Sequence, residues 1–285
     1  MKKVYSMFFA AAVSGAVLTS CADSNEIVSD RDMPTDREAA AMLKAGFDTD
    51  NFTRIDDGFL VEGDIFFRTV EDLENLGEAN VFAEQYSTNN LVATGGSRVI
   101  TIYAPEEGSG GRGKKGGSGY SAAMIAGLDE AISRYNAQNL EISFQRVTSS
   151  SGADIVMTRL SKRDESRGVL GSAGFPTASG DPYGEIKMSG VLESNYGLST
   201  NGIATIIAHE MGHCVGFRHT DFFDRSISCG GSTANEGDGG VGANHIPGTA
   251  TGADLAGAGS WMLACTDGGN RPFTNDDRTA LDYLY

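Results

Sequence analysis

The sequence has little positive charge. Its 22 lysine and arginine residues stand against 38 aspartate and glutamate residues, so that the formal net charge is −16. A chain of this charge is repelled by phosphate backbones and by anionic lipid headgroups. Nucleic acid is therefore excluded as a partner, and a membrane cannot be bound through a basic surface.

Long hydrophobic runs are absent except at the beginning of the chain, where three residues with two lysines precede an apolar run over residues 4–18. This run is too short and too rich in alanine to span a bilayer, and it is typical of a secretory signal. It ends in Leu18-Thr19-Ser20-Cys21, which resembles the lipobox of bacterial lipoproteins. Cys21 is therefore the predicted site of a lipid anchor, and a plain signal peptide that contains a cysteine is the alternative.

Cysteine is also scarce, with four in the chain. None of them forms the Cys-x-x-Cys pair that is typical of zinc–thiolate sites. Apart from Cys21, the odd number that remains predicts one disulfide and one buried thiol in an oxidising compartment. We favour a disulfide between Cys229 and Cys265, because Cys214 follows a histidine on a predicted helix, where a small buried side chain fits. Pairing of Cys214 with either of the others remains open.

Histidine is as scarce as cysteine, with four in the chain. Three of the four histidines lie in one run, His-Glu-Met-Gly-His-Cys-Val-Gly-Phe-Arg-His-Thr-Asp, which begins at His209. On a helix, His209 and His213 are one turn apart and project from the same face. Gly216 can adopt the left-handed conformation that ends a helix, which lets His219 approach as a third ligand. Three nitrogen ligands leave one zinc position for water, as in catalytic zinc sites. An amphipathic core helix with surface histidines is the alternative.

Glu210 lies next to the first of these ligands. It is rotated about a quarter turn from His209, so it can reach a zinc-bound water without binding the metal itself. Zinc lowers the pKa of its bound water to about 7 and polarises a carbonyl group. Glu210 is therefore the predicted general base, which takes a proton from the water and passes it to a leaving amine. Asp221 is expected to orient a ligand or to anchor the turn.

The run resembles the zinc signature of the metzincin metallopeptidases, and it is most similar to the protease B-type, or dual-action HEIGH, family, with Met211 in place of Ile. The segment Gly-Ser-Trp-Met-Leu-Ala-Cys from Gly259 resembles the metzincin Met-turn, which implies that Met262 lies beneath the histidines. Ala264 occupies the place where astacins have a tyrosine, so no tyrosine ligand is expected. His245 is interpreted as a loop residue and not as a fourth ligand.

Glu62-Gly63-Asp64 lies in the acidic region before the zinc motif. It resembles the Glu-Gly-Asp element of astacin propeptides, whose aspartate coordinates zinc and keeps the zymogen inactive. The resemblance implies that Asp64 is a latency switch, since a carboxylate in the open zinc position displaces the water that the general base must activate. A surface turn between two strands is the alternative interpretation.

The pattern of apolar residues predicts an α+β fold. Strands are predicted at residues 99–103, 141–147, 153–159 and 184–188. A helix is predicted over residues 120–139, and further helices are expected to begin at Ser199 or Thr200 and at Thr274. The resemblance implies a metzincin-like catalytic domain, with a mixed twisted sheet and active-site helix above and a loop-rich C-terminal subdomain with a terminal helix below, preceded by a small propeptide. It also implies that residues 184–188 form the edge strand that pairs antiparallel with substrate.

These predictions divide the chain into a lipoprotein signal at residues 1–20, a tether at 21–36, a propeptide at 37–94 and a zinc metallopeptidase domain at 95–285. The expected partners are one catalytic Zn²⁺, a protein or peptide substrate and, through the lipid alone, a membrane. Ca²⁺ at the glycine-rich loop around Asp238 is unsupported, because few carboxylates cluster there. We expect a monomer in the bacterial cell envelope, on the outer membrane or cell surface, or in secreted form.

Two other classes of function remain open. The chain could be a non-catalytic surface lipoprotein that uses a metzincin scaffold to bind a ligand. A zinc-stabilised structural module is less favoured, because no fourth protein ligand is evident in the sequence.

Overall fold

The computed structural model describes residues 33–45, 47, 49, 52–74, 85–108, 119–237, 240–249 and 259–285. The predicted signal, Cys21 and Asp238 lie outside the described residues. None of the helices in the described ranges is both long enough and apolar enough to span a membrane.

Residues 33–74 form a small unit that we call the N-terminal subdomain. Its elements are α1 (Asp36–Ala45), β1 (Thr53–Ile55), β2 (Gly58–Val61), β3 (Ile65–Phe67) and α2 (Val70–Glu74). The three strands form an antiparallel sheet in the order β1-β2-β3. This subdomain has a hydrophobic cluster of its own, consisting of Ala41, Met42, Ala45, Phe47, Phe52, Phe59, Val61, Ile65, Phe67 and Leu73. Burial of these side chains holds helix and sheet together.

Residues 85–285 form the C-terminal body, which contains the predicted catalytic sheet. Its strands are β4 (Tyr86–Ser87), β5 (Arg98–Tyr103), β6 (Ile142–Val147), β7 (Ile155–Arg159), β8 (Gly171–Ser172), β9 (Glu185–Met188) and β10 (Asn244–His245). Five of them form a sheet in the order β6-β5-β7-β9-β8, in which β8 alone is antiparallel to its neighbour. The predicted α+β fold is confirmed, with strand ends shifted by one or two residues.

The expected position of the edge strand is wrong. Residues 184–188 were expected at the edge of the sheet, but β9 is hydrogen-bonded to β7 on one side and to β8 on the other. The edge is β8, a strand of two residues. A strand this short shows no alternation of apolar and polar residues, and its pairing is decided by the neighbouring strand.

Helices cover one face of this sheet and frame the loops below it. They are α3 (Ala122–Asn136), α4 (Lys162–Ser166), α5 (Leu192–Tyr196), α6 (Thr200–Cys214), α7 (Ser226–Cys229) and α8 (Asn275–Leu284). The predicted starts are confirmed: the Ser199 side chain accepts from the amide of Gly202, and Thr274 forms a capping box with Asp277. Helix α6 is buried from Gly202 to Cys214, because the sheet, α3 and the C-terminal loops surround it.

The segment after residue 84 is part of the C-terminal body. Strand β4 pairs with β10, and the amide of Thr88 donates to the carbonyl of Gly216 at 2.8 Å. The side-chain amide of Gln85 donates to Asp277 at 2.8 Å, and the amide of Val92 donates to the hydroxyl of Tyr285 at 3.1 Å. Residues 85–92 therefore hold the zinc-motif turn and the terminal helix, although they lie inside the range that we predicted as propeptide.

Helices α3 and α6 approach each other closely at Gly127, so a methyl group added at this position should affect stability. A Cβ at Gly127 would lie 2.5 Å from Cγ2 of Ile203. Overpacking costs about 1–3 kcal/mol, whereas replacing a helical glycine by alanine gains at most about 1 kcal/mol. We expect Gly127→Ala to lower the free energy of unfolding, as measured by urea denaturation. Ser133→Ala, at an exposed position on α3, is the control and should be neutral. A stable Gly127→Ala protein would contradict the packing.

Candidate metal centre

The three histidines of the sequence motif converge on one point. Helix α6 carries His209 and His213, and Gly216, at a φ of 103°, ends the turn that follows it and brings His219 back towards the helix. Asp64 comes from the N-terminal subdomain: its Oδ2 lies 3.0 Å from Nε2 of His219, 3.3 Å from Nε2 of His209 and 4.0 Å from Nε2 of His213. One ligand atom from each of the four residues lies within 4.8 Å of the others.

Each imidazole is oriented by a hydrogen bond from its Nδ1 atom. His209 donates to the carbonyl of Trp261 at 2.9 Å, and His213 donates to the carbonyl of Phe217 at 2.9 Å. His219 donates to the carboxylate of Glu236 at 3.0 Å. Because each acceptor holds a proton on Nδ1, it is the Nε2 atom of each ring that points into the centre.

The buried polar atoms at this centre fit a metal cation. Nε2 of His209, Nε2 of His213 and Oδ1 of Asp64 are buried with no hydrogen-bond partner among the described residues. Buried polar groups normally have partners, and a cation bound to these atoms would supply one. Imidazole nitrogens with an additional carboxylate are donors of the kind that zinc accepts.

The electrostatics favour positive charge in the same place. Burial lowers the pKa of His219, but the carboxylates of Asp64 and Glu236 outweigh this and raise that pKa well above its usual value. Burial, together with the other two histidines, lowers the pKa of His213 well below its usual value, which keeps it neutral as a ligand must be. The two carboxylates therefore stabilise a cation among imidazoles that need not themselves be charged.

Glu210 lies beside the metal-binding atoms and does not hydrogen-bond to them. It is buried, and its Oε2 has no partner among the described residues. Burial and the nearby Asp64 carboxylate raise the pKa of Glu210 well above its usual value. The edge strand approaches it closely, because a Cβ at Gly171 would lie 2.5 Å from Oε1 of Glu210. Only a glycine at this position leaves the carboxylate where it is.

Met262 packs directly against the zinc-motif helix. A Cβ at Gly212, between the two helical histidines, would lie 2.6 Å from the sulfur of Met262. The amide of Thr220, next to His219, donates to the carbonyl of Met262 at 2.8 Å. The structure thus places Met262 beneath the histidines, where the resemblance to the Met-turn implied that it would lie.

Asp221 anchors the turn that contains Met262. Its carboxylate accepts from the amide of Ala264 at 2.9 Å and from the hydroxyl of Ser228 at 2.5 Å. A disulfide joins Cys229 to Cys265 in the same region, and Cys214 is a buried free thiol. This is the pairing that we favoured from the sequence. These contacts tie the segment after His219 to the Met-turn.

Glu236 is a site residue that the sequence analysis missed. Its carboxylate is buried, accepts from His219 and lies 2.9 Å from the guanidinium of Arg225 and 3.9 Å from that of Arg218. It lies in a glycine-rich loop 17 residues after His219, and no spacing rule relates the two positions. The isolated glutamate among small residues is the only signal that the sequence offers.

The two interpretations of Asp64, a latency switch and a turn between two strands, each describe part of what is observed. Residues 62–64 are a turn between β2 and β3, with positive φ angles at Glu62 (59°) and Gly63 (93°). This turn enters the histidine cluster, as the latency element was expected to do. His245 lies apart from the cluster in β10, where its Nε2 is 3.2 Å from the hydroxyl of Thr249.

A cavity of about 250 Å³ adjoins Glu210 on the side of the Met-turn. The turn that carries Asp64 forms one wall and α6 forms another. Its side-chain lining combines apolar, basic and acidic groups, among them Leu170, Ile206, Leu263, Arg225, Arg271 and Glu62. A cavity of this size beside the candidate metal centre can receive one side chain of a bound peptide.

Comparison with known proteins gives one informative match. The model of the dual-action HEIGH metallopeptidase family matches residues 59–285. No curated protein matches the chain significantly. Similar solved structures include one of myroilysin, with 14% identity over 69% of this chain and 96% of that chain and a TM-score of 0.36. Another is the GM1-bound form of the ECX AB5 holotoxin, with 18% identity over 69% of this chain and 81% of that chain and a TM-score of 0.37.

The contact between Glu236 and His219 predicts a change in metal affinity. Glu236→Gln keeps an acceptor for Nδ1 of His219 but removes the negative charge behind the imidazole, so zinc should bind roughly 10–100-fold more weakly. Competition with a chromophoric chelator measures this affinity, and circular dichroism checks the fold. Glu107→Gln, at an exposed position, is the control. If both variants bind zinc like the wild type, the contact does not support the metal.

Proposed function

Because the chain belongs to the dual-action HEIGH metallopeptidase family, we propose that it is a secreted, lipid-anchored zinc endopeptidase with Glu210 as general base. The observation that carries this proposal is the arrangement of the imidazoles, whose Nε2 atoms converge beside an unpartnered Glu210 carboxylate. His209, His213 and His219 would hold zinc, which supplies an acidified water and polarises the scissile carbonyl.

Glu210 is suited to moving a proton in this reaction. Burial and the nearby Asp64 carboxylate raise the pKa of Glu210 well above its usual value, which makes its carboxylate a stronger base. Burial excludes other proton donors, and Gly171 keeps space for the carboxylate. Glu210 would take the proton of the attacking water at one carboxylate oxygen and deliver it to the amine of the leaving peptide.

The edge strand provides a surface on which a peptide can be bound. Strand β8 lies next to Glu210 and has β9 on one side only. A substrate in extended conformation would add to its free side by backbone hydrogen bonds, the mode called strand addition. The cavity beside Glu210 would then receive a substrate side chain. These features support protein or peptide substrates.

The N-terminal subdomain occupies this surface, which supports latency. The amide of Phe66 donates to the carbonyl of Ala173 at 2.9 Å, and the amide of Ala173 donates to the carbonyl of Asp64 at 3.2 Å. This pairing is parallel, opposite to the antiparallel direction expected of substrate. Burial alone would raise the pKa of Asp64, but His219 and His209 hold that pKa well below its usual value, so the residue is an anionic ligand.

We propose that removal of the N-terminal subdomain activates the peptidase. The segment to be removed ends before Gln85, because residues 85–92 hold the zinc-motif turn and α8. The disulfide between Cys229 and Cys265 supports an oxidising compartment and thus the predicted export of the chain. Lipidation at Cys21 remains a proposal from the lipobox.

Replacement of the proposed general base should separate metal binding from hydrolysis. In protein freed of the N-terminal subdomain, Glu210→Gln should keep one zinc per chain and reduce the cleavage rate by about 10²–10⁴-fold. His219→Ala should instead weaken zinc binding. Metal content is measured by atomic emission and cleavage with a quenched peptide library, with Glu107→Gln as control. A wild-type rate for Glu210→Gln would rule out its role.

Latency is tested by comparing the chain from Ala22 onwards before and after removal of the N-terminal subdomain. We expect zinc in both forms and chelator-sensitive cleavage only after removal, because the turn at Asp64 then leaves the metal site. Equal activity in both forms would contradict latency. Stoichiometric zinc with no cleavage by either form would favour the non-catalytic ligand-binding alternative, and absence of zinc would overturn the metal centre.

A further inference from the structure

The N-terminal subdomain contacts the C-terminal body at a second place, on the opposite face of the sheet from the metal site. Ile186 and Met188 of β9 face α6 and belong to the main core, so Lys187 between them faces the other way. On that side, Ile55, Leu60 and Phe66 of the N-terminal subdomain pack against residues of the C-terminal body. We call this surface of the C-terminal body the back face, and it consists of Leu160, Val169, Tyr183 and Lys187, of which Val169 also borders the cavity beside Glu210.

Lys187 is the polar centre of the back face. Its side chain is 8% exposed, its ammonium group forms an ion pair with Asp57, and it lies 3.7 Å from the centroid of the Phe66 ring. An ammonium that is both paired with a carboxylate and placed over an aromatic ring is well stabilised when water is excluded. Both stabilising partners come from the N-terminal subdomain.

Two further contacts surround this centre. The guanidinium of Arg167 donates to the carbonyl of Arg54 at 2.8 Å. Arg68 of the N-terminal subdomain lies 3.4 Å from the carboxylate of Glu185. The back face is therefore covered by apolar packing and matched in charge by one occupant, the antiparallel sheet formed by β1, β2 and β3. None of these contacts involves an atom of the candidate metal centre.

We propose that the back face is a docking surface which holds the N-terminal subdomain without help from the metal, so that cutting the chain after Glu74 does not by itself release the inhibitor. The proposal rests on the latency proposed above. The subdomain has its own hydrophobic cluster, and the turn between its strands β2 and β3 carries Asp64. As long as this sheet stays on the back face, Asp64 remains at a high effective concentration at the metal site.

This arrangement predicts that activation needs destruction or dissociation of the subdomain and not merely a cut. It also predicts that loss of the Asp64 carboxylate alone leaves the cleft covered, since the backbone of residues 64–66 still pairs with Ala173. The N-terminal subdomain is thus bound to the C-terminal body by two separate interactions, one at the back face and one between Asp64 and the histidines.

The experiment uses the full chain with a recognition sequence for a site-specific protease inserted between Glu74 and Gln85. After cutting, gel filtration with and without a metal chelator shows whether the two pieces stay together. We expect co-elution in both buffers and little peptidase activity with zinc present. Separation of the wild-type pieces after cutting, in either buffer, would overturn the proposal.

Charge variants test the back face directly. Lys187→Glu places a like charge opposite Asp57 and should raise the dissociation rate of the cut subdomain by roughly thirtyfold or more. Asp57→Lys alone should do the same at an exposed residue that lies outside the C-terminal body, so misfolding of the body does not explain it. The double variant Lys187→Glu with Asp57→Lys should restore co-elution. Lys162→Glu, exposed on α4, is the control and should have no effect.

The outcomes separate this proposal from the proposed function. Co-elution that resists chelator, with no cleavage even after the subdomain is digested, would support docking and contradict the peptidase. Cleavage that begins as soon as the chain is cut, with separated pieces, would support the peptidase and overturn docking. Unchanged dissociation in both charge variants would show that Lys187 does not hold the subdomain.

Discussion

The structure depends on the three hydrogen bonds that orient the imidazoles. Helical spacing places His209 and His213 on one face, but it does not fix the rotation of either ring. The acceptors at their Nδ1 atoms do so, and they come from the turn after α6, the Met-turn and the glycine-rich loop. The loops below the helix therefore supply all three acceptors. They contribute only one of the candidate metal-binding histidines, His219.

Two of the three acceptors, the carbonyl of Trp261 and the carboxylate of Glu236, are held by neighbouring buried polar contacts. Ser260, which precedes Trp261, donates to Asp277 at 2.7 Å, and Thr220 lies within 2.9 Å of the same Ser260 hydroxyl. Asp277 is also the N3 residue of the α8 capping box, so the terminal helix is coupled to the Met-turn. Glu236 is held by Arg225 in a corresponding way. Buried partial and full charges of this kind are stable only when every partner is present, which explains why segments far apart in sequence meet here.

The parts of this site that sequence predicts are those fixed by local geometry. The ligands on α6 follow from their spacing, the turn to His219 follows from Gly216, and the position of Met262 and the entry of Asp64 into the cluster follow from resemblance to known families. Glu236 was missed because a long loop returns it to His219. Strand β8 was missed, and β9 misplaced at the edge, because a two-residue strand has no pattern of its own. The inclusion of residues 85–92 in the C-terminal body depends on pairing with β10 and α8, which are distant in the chain.

The N-terminal subdomain uses the edge strand in a way that would protect it from the proposed enzyme. It pairs in parallel with Ala173, the residue that follows β8, so its backbone satisfies the amide and carbonyl groups of that residue while running opposite to the direction expected of a substrate. Its turn reaches the metal site from this strand with a carboxylate and not with a peptide carbonyl. The peptide bond next to Asp64 is thus not presented to Glu210 as a substrate bond would be. In the proposed enzyme, the reversed strand direction and the Asp64 carboxylate together would let one surface bind both the inhibitor and the substrate, while only the substrate is cleaved.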